Sequence, residues 1–355
     1  MHDCIWITGG AGFVGSSLAL SLKKLWPEKE IVTLDNLRRR GSELNLARLK
    51  AAGIAFVYAD IRCMEDLTTA TPQPDLILEC SAEPSVLAGY GGSPEYLIHT
   101  NLTGCFHCLE IARRRSADFL FVSTSRVYPV RLLNQLAYSE AATRFELSAD
   151  QPLPGASQHG VAEDFPLEGT RSLYGMTKLA AEMMIEEYSE AYGFRCIIDR
   201  CGLLTGPWQM AKSDQGVVAQ WVAWHHFGKP LRYIGFGGCG KQVRDFLHID
   251  DFCELVADQI LHFDSYRGRR WNVGGGAANS LSLREATAIC AKVTGKRQDV
   301  ASSAEERPAD MRIYISDHRR VSSVNGWSPK RDAMRTLTDI YEWIRAEEPT
   351  LRHIL

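Results

Sequence analysis

The run Thr8-Gly9-Gly10-Ala11-Gly12-Phe13-Val14-Gly15 constrains this chain more than any other feature, because of what flanks it. The apolar run Ile5-Trp6-Ile7 precedes it, and the helix-like stretch Ser16-Ser17-Leu18-Ala19-Leu20-Ser21-Leu22 follows. A strand, a tight turn and a helix start, in that order, aim backbone N–H groups and the positive end of a helix dipole at one spot, which suits a pyrophosphate. Gly9 serves the turn, Gly12 lets a phosphate approach the backbone, and Gly15 lets the helix pack against the strand. About 20 residues beyond Gly15, a second apolar run, Ile31-Val32-Thr33-Leu34, ends in Asp35, an acceptor for adenosine ribose hydroxyls. The expectation is a dinucleotide site at the front of the chain. A carboxylate at Asp35 would repel a ribose phosphate, which favours NAD over NADP. Arg38-Arg39-Arg40 follow, and such a cluster can bind phosphate. Because Asp35 comes first, at the strand end, the arginines are read as covering the adenine or pyrophosphate, or as a solvated loop.

The strand and helix alternation continues. Residues 44–50 read as a helix, 54–58 as a strand ending at Asp60-Ile61-Arg62, 76–78 as a strand closing on Glu79-Cys80-Ser81-Ala82, and 99–115 as a long helix through Asn101. Phe119-Leu120-Phe121-Val122 then leads into Ser123-Thr124-Ser125. Such alternation implies an α/β fold with a doubly wound parallel sheet, whose ligands sit at the carboxyl ends of the strands. Residues 128–173 are irregular and rich in Pro, Gly and acids, as expected of a lid or wall of a substrate site. Helical periodicity returns over 176–192, Cys196-Ile197-Ile198 reads as a buried strand, and residues 244–251 as a short strand entering a helix near Asp250.

A chain of 355 residues suffices for one composite or two intimately joined domains, and its net charge of -3 gives no electrostatic case for nucleic acid or an anionic membrane. The ten cysteines are scattered through apolar runs, which fits a reducing cytosol. Cys105-Phe106-His107-Cys108 lacks a second pair at metal-ligand spacing and is read as a buried helix face. The start of the chain shows no basic leader and no long apolar segment, so a cytoplasmic location is expected.

Tyr174 and Lys178, four apart in Tyr174-Gly175-Met176-Thr177-Lys178, share one face of a helix. A nearby ammonium favours the ionised phenol, so the pair suits a tyrosinate base. A hydroxyl from Ser123-Thr124-Ser125 can hold a sugar oxygen beside that phenol, the geometry that proton and hydride abstraction from a secondary alcohol requires.

Together the glycine motif, Asp35, Asp60-Ile61, Ser123-Thr124-Ser125 and Tyr174-x-x-x-Lys178 resemble the extended short-chain dehydrogenase/reductase family, in its nucleotide-sugar epimerase and dehydratase branch. Later signatures, Gly240-Lys241-Gln242-Val243-Arg244-Asp245, Trp271-Asn272-Val273-Gly274-Gly275, Arg307-Pro308-Ala309-Asp310 and Gly326-Trp327-Ser328-Pro329, extend the likeness over nearly the whole chain. The resemblance implies a Rossmann-type sheet domain, residues 1–203 and 241–271, binding NAD. A smaller mixed α/β cap, residues 204–240 and 272–355, would bind the nucleotide sugar. It implies Tyr174 as base, Lys178 as its partner and Thr124 as second hydroxyl. The cofactor would meet Gly9, Gly12, Phe13, Val14 and Gly15, then Asp35, Asn36, Arg38, Gly41, Asp60 and Ile61 on the adenosine side. Ser81, Ala82, Asn101, Ser123, Tyr174, Lys178 and Cys201 would complete that site. Ser85, Thr124, Ser125, Arg126, Gln215, Arg244, Arg307 and Asp310 would meet the substrate.

Dehydratases of this branch follow the catalytic Ser or Thr with Asp-Glu, where this chain has Ser125-Arg126, so dehydration is not expected and Arg126 is assigned to a sugar hydroxyl or phosphate. Many relatives carry Asn where this chain has Leu203, a side chain that cannot hydrogen-bond a nucleotide. Trp221, Trp224, His225 and His226 are read as cap packing. Residues 35–41 and 140–145, the insert before Tyr174 and Asp214-Gln215-Gly216 are similar to branch members that invert carbon 2 of a CDP-linked dideoxyhexose. The expected reaction is epimerisation through a transient keto-sugar, without net redox. Alternatives are inversion at carbon 4 of a UDP-, GDP- or dTDP-hexose, a net reductase using NADPH, and a dinucleotide-binding sensor that lost its chemistry. Helical faces within 99–115 and 179–192 would pair in an isologous homodimer, by analogy with the family.

Overall fold

Apolar runs of four to seven residues form the strands of one seven-stranded sheet in a computed structural model that describes residues 2–211 and 216–355. The elements run β1 (Cys4–Thr8), α1 (Phe13–Leu25), β2 (Glu30–Asp35), α2 (Asn45–Ala51), β3 (Ala55–Tyr58), α3 (Met64–Thr69) and β4 (Leu76–Glu79). Then come α4 (Glu95–Ile98), α5 (Gly104–Arg115), β5 (Asp118–Thr124), α6 (Leu173–Tyr192), β6 (Cys196–Cys201), α7 (Ile249–Leu261) and β7 (Arg269–Val273). The sheet order is β7-β6-β5-β4-β1-β2-β3, with β1–β2, β1–β4, β2–β3 and β4–β5 parallel. The winding reverses between β1 and β4, the switch point at which doubly wound sheets bind ligands. Thr8 and Glu79, the last residues of those strands, are register partners.

Strands covered by helices on both faces read as continuous apolar runs because neither side meets water. Ile5, Ile7, Leu76, Leu78, Phe119 and Phe121 are accordingly buried. Helix α5 presses Cys105, Cys108, Leu109 and Ala112 into this core, where both cysteines are free thiols. No cluster able to hold a metal occurs among the described residues. A π-helical turn, His99–Thr103, joins α4 to α5, so the expected helix over 99–115 begins four residues earlier and widens at Asn101. Single-turn π segments often mark functional positions.

By internal contacts the chain divides into two units: Met1–Thr124, Leu173–Arg200 and Phe252–Trp271 form the first, and Ser125–Ser172, Cys201–Asp251 and Asn272–Leu355 the second, comparable in length. The sequence reading kept 125–172 with the sheet; here they group with the second unit, whose backbone and side chains bind them. The Phe145 N–H donates to the Lys241 carbonyl, Arg144 to Ser280 and Glu285, and the Asn272 side chain to the Val161 carbonyl. This segment, expected to be irregular, contains a short helix (Val130–Leu133) and two small hairpins, Tyr138–Glu140 with Phe145–Leu147 and Ala156–Ser157 with Gly160–Val161.

The second unit is mixed α/β. Strands Leu203–Thr205 and Ser280–Ser282 flank Val243–His248, which Ile313–Tyr314 also joins, and Leu231–Ile234 pairs with Val300–Ser303. Ser282 and Glu285 form a reciprocal cap on helix Leu283–Thr294, the pairing that satisfies two orphan donors of a first turn. Trp221 packs as expected: its ring stacks on Tyr233 at 5.8 Å and its indole N–H donates to Thr287 at 2.9 Å. No helix among the described residues is long and apolar enough to cross a membrane.

Candidate active site

The glycine turn leaves β1 where a side chain has no room. Gly9 has φ +63, and a Cβ there would lie 2.9 Å from the Cys80 carbonyl oxygen. A Cβ on Gly15 would lie 2.3 Å from the Gly9 oxygen, so helix α1 could not start so close to the turn with any larger residue. Gly12 differs: within 4 Å its Cβ would meet only atoms of Gly9, which leaves its outer side open. It caps α1 without a side-chain bond, and the N–H groups of Phe13, Val14 and Gly15 belong to a first turn that has no helical acceptors. The cradle fits a dinucleotide pyrophosphate on steric and dipolar grounds.

Asp35 ends β2 and accepts the Ala11 N–H at 3.1 Å and the Leu37 N–H at 2.8 Å. Burial pushes its carboxyl pKa up, against the pull of those backbone N–H groups. Asn36 donates to Asp60 at 2.9 Å. The Arg62 guanidinium forks onto Asp60, at 2.9 Å from Nε and 2.6 Å from Nη2, and holds that carboxyl down at about 2. Arg38 is exposed, with its guanidinium 3.8 Å above the Tyr96 ring, which Arg62 also approaches at 4.8 Å. Gly41, at φ +92, donates its N–H to Glu43, and Ile61 is buried. After β4 the Ser81 N–H donates to Glu79, and Ala82 follows. In the π turn, Asn101 bridges to Glu83: Oδ1 accepts the Glu83 N–H at 2.8 Å, while Nδ2 donates to the Glu83 carbonyl and to the Thr177 hydroxyl, both at 3.1 Å. Ser85 is buried and accepts the Leu87 N–H.

Tyr174, Lys178 and Glu182 stand at four-residue intervals on one buried face of α6. Lys178 Nζ lies 3.8 Å from Glu79 Oε2 and 3.7 Å from the centre of the Phe121 ring. Glu182 receives the Arg200 guanidinium, with Nη2 at 2.7 Å and Nε at 3.1 Å from both oxygens, and also the Ser123 hydroxyl. Thr124, the last residue of β5, is buried. Sequence reasoning gave no role to Glu79, Glu182 or Arg200. The one available signal was periodic, since Glu182 continues the Tyr174–Lys178 spacing by one more turn.

In the second unit, Ser125 and Arg126 enter a 3₁₀ turn directly after β5. Arg126 donates to the Ala309 carbonyl at 2.9 Å, Asn134 to the Asp310 carbonyl at 3.0 Å, and Arg244 to the Met311 carbonyl at 2.7 Å. Three consecutive carbonyls are thus held by three side chains, and Arg244 reaches the Asp310 carboxylate at 3.2 Å as well. Arg307, just before this clamped segment, is exposed. Cys201 is buried at the end of β6, and Gln215 lies outside the described residues.

Against known proteins, residues 5–274 match the NAD dependent epimerase/dehydratase family. The chain is 29% identical to CDP-paratose 2-epimerase of Salmonella typhi over 351 residues, covering 95% of this chain and 98% of that protein. It is 27% identical to a dTDP-glucose 4,6-dehydratase of Mycolicibacterium smegmatis over 344 residues, covering 96% and 93%. Among solved structures, the fold is similar to UDP-glucose 4-epimerase of Thermus thermophilus in complex with NAD, with TM-score 0.78, 24% identity, and coverage of 96% of this chain and 99% of that one. With the glycine cradle, the sheet order and this match over most of its length, the chain belongs to the NAD dependent epimerase/dehydratase family, whose cofactor is NAD.

Proposed function

We propose that this chain epimerises a nucleotide-linked hexose, and that the substrate is a CDP-linked 3,6-dideoxyhexose inverted at carbon 2. The observation that carries the reading is the pairing of Thr124, Tyr174 and Lys178 with Ser125-Arg126, a hydroxyl and a guanidinium where a dehydratase needs two acids. The full-length similarity to CDP-paratose 2-epimerase supports the choice of sugar and carbon.

In this reading Gly9, Gly12 and the start of α1 hold the cofactor pyrophosphate, while Asp35, Asn36 and Asp60 serve the adenosine end. Bound NAD supplies a reversible two-electron acceptor. Tyr174 takes the proton of the ring hydroxyl, and the Lys178 ammonium favours the phenolate that makes this possible. Thr124 holds the sugar oxygen while its carbon is oxidised. Once the keto-sugar has turned over, Tyr174 gives the proton back to the same oxygen, so no net redox occurs. Arg244 and Arg307 serve the diphosphate. Arg126, which holds the Ala309 carbonyl on the segment that carries Asp310, serves a sugar hydroxyl or a phosphate. Exposed Phe106, Met183 and Tyr192 on α5 and α6 favour a second copy of this chain as the partner of that face, a dimer that sedimentation equilibrium would detect.

Epimerisation of a CDP-linked 3,6-dideoxyhexose in heavy water, followed by NMR, tests the reaction. Inversion at carbon 2 with its hydrogen retained is expected. Deuterium at that carbon refutes the redox route, inversion only at carbon 4 of a UDP-, GDP- or dTDP-hexose refutes the substrate, and net reduction dependent on added NADPH refutes epimerisation.

A further inference from the structure

We propose that Glu79 is a positioning residue for Lys178: it supplies the buried negative charge that keeps the lysine protonated and fixed, one helical turn from Tyr174. Glu79 closes β4 at the sheet's switch point, beside Thr8 of β1. Its side chain and that of Lys178 are each only 2% exposed, with Nζ 3.8 Å from Oε2. Oε1 is engaged separately, accepting the Ser81 N–H at 2.9 Å and the Thr8 hydroxyl at 3.4 Å. That orients the carboxylate so that Oε2 faces the lysine. From the other side, the Phe121 ring of β5 meets Nζ at 3.7 Å.

One helical turn beyond Lys178 on the same buried face, Glu182 is paired with Arg200. The thiols of Cys80 after β4 and Cys105 on α5 lie within electrostatic reach of both Glu79 and Lys178, and that of Cys108 on α5 within reach of Glu79. Burial lifts the pKa values of Cys80, Cys105 and Cys108 well above the ordinary thiol range, so they stay neutral. Burial also pushes the Glu79 carboxyl up, and the Lys178 ammonium is the main influence opposing it. An ammonium taken out of water without a counterion drifts toward the neutral amine. A neutral Lys178 could bind a hydroxyl but could not favour a phenolate. Glu79 therefore sets the ionisation of Tyr174 without touching it, through the lysine between them.

The role of Lys178 rests on the reading above, but the test needs no substrate. Glu79→Gln keeps the side-chain shape and an acceptor for the Ser81 N–H while removing the charge. The readout is the titration midpoint of the Tyr174 phenol in the NAD-loaded protein, taken as the ultraviolet difference between each protein and its Tyr174→Phe counterpart. The midpoint should rise by about one pH unit or more in Glu79→Gln. An unchanged midpoint, or one that falls, overturns the proposal. Should Glu79→Gln fold poorly, Lys178→Met and the double variant decide. Lys178→Met strands the carboxylate and should lower the melting temperature, and adding Glu79→Gln should restore it toward wild type. Additive losses overturn the pairing. A protein that shows these couplings yet turns over no nucleotide sugar would refute the proposed reaction and leave the Glu79 assignment standing.

Discussion

Replacing Arg200 with methionine should destabilise the protein by about 3–5 kcal/mol, the range seen when one member of a buried ion pair is removed. Neither Arg200 nor Glu182 exposes any side-chain surface. Arg200 gives Glu182 contacts of 2.7, 3.1 and 3.1 Å, and the Ser123 hydroxyl adds a further donor. Charge-assisted hydrogen bonds contribute roughly 1.5–3 kcal/mol each. The single Nε–H is shared by both oxygens, so losing these two N–H donors would cost about 3–6 kcal/mol, offset in part because a guanidinium no longer has to leave water. Methionine refills the space of the arginine stem, so a cavity adds little. Glu182 is then left buried with hydroxyl support alone. Guanidinium chloride unfolding followed by far-ultraviolet circular dichroism at neutral pH measures the loss. Glu182→Leu combined with Arg200→Met should recover most of it, because an apolar pair removes the stranded charge. A single-variant loss below about 1 kcal/mol, or a double variant as unstable as the two singles summed, would refute the reasoning.

Tyr174→Phe should lower turnover by about 10²-fold or more with NAD binding retained, and near-wild-type steady-state rates would sink the acid–base role. Asp35→Ala should weaken NAD by roughly tenfold or more while narrowing the gap to NADP, as read by nicotinamide fluorescence titration. Because burial raises the Asp35 pKa, acidification should erode the wild-type preference for NAD at a higher pH than an ordinary carboxyl would, an erosion absent from the alanine variant. Asp199 is fully buried, with Gln259 donating to it at 2.8 Å, and burial pushes its carboxyl up to about 7. The native state thus prefers the protonated acid, so the stability it contributes is complete below the ordinary carboxyl pKa and is lost as pH rises through about 7. Asp199→Asn should abolish that slope and be the more stable protein at pH 8 by roughly 2–4 kcal/mol, and parallel urea-unfolding results for the two proteins at pH 5 and pH 8 would contradict it.

The elements of the sheet were legible because each is local. Ile5-Trp6-Ile7 and Leu76-Ile77-Leu78 are apolar runs bounded by breakers, and the Gly9 to Gly15 spacing encodes a steric requirement that no other residues meet. Tyr174 and Lys178 were legible for the same reason, one helical turn apart. What escaped the sequence depends on partners far along the chain. Nothing near Glu79 announces Lys178, and nothing near Arg200 announces that its guanidinium ends on Glu182. Arg126 was assigned to a ligand from its place beside Thr124, and its hydrogen bond to the Ala309 carbonyl, 183 residues away, could not be read from the sequence. The hairpins within 125–172 were missed because strands of two or three residues are too short to show alternation.

The division of the chain into interleaved pieces also governs the order in which it can be made. The first unit's sheet is finished only by β7, at Arg269–Val273, so more than two-thirds of the polypeptide must leave the ribosome before that unit can close. Until β6 (Cys196–Cys201) emerges, β5 presents an open edge, and the nascent chain must carry β1 to β5 unsealed while residues 125–172 are being made. At typical elongation speeds of about 5–20 residues per second, that interval lasts several seconds. An apolar parallel strand with a bare edge is a template for wrong pairing. Neither unit can be released as a contiguous fragment, and a truncation anywhere before residue 269 would leave the first unit's sheet without its outer strand.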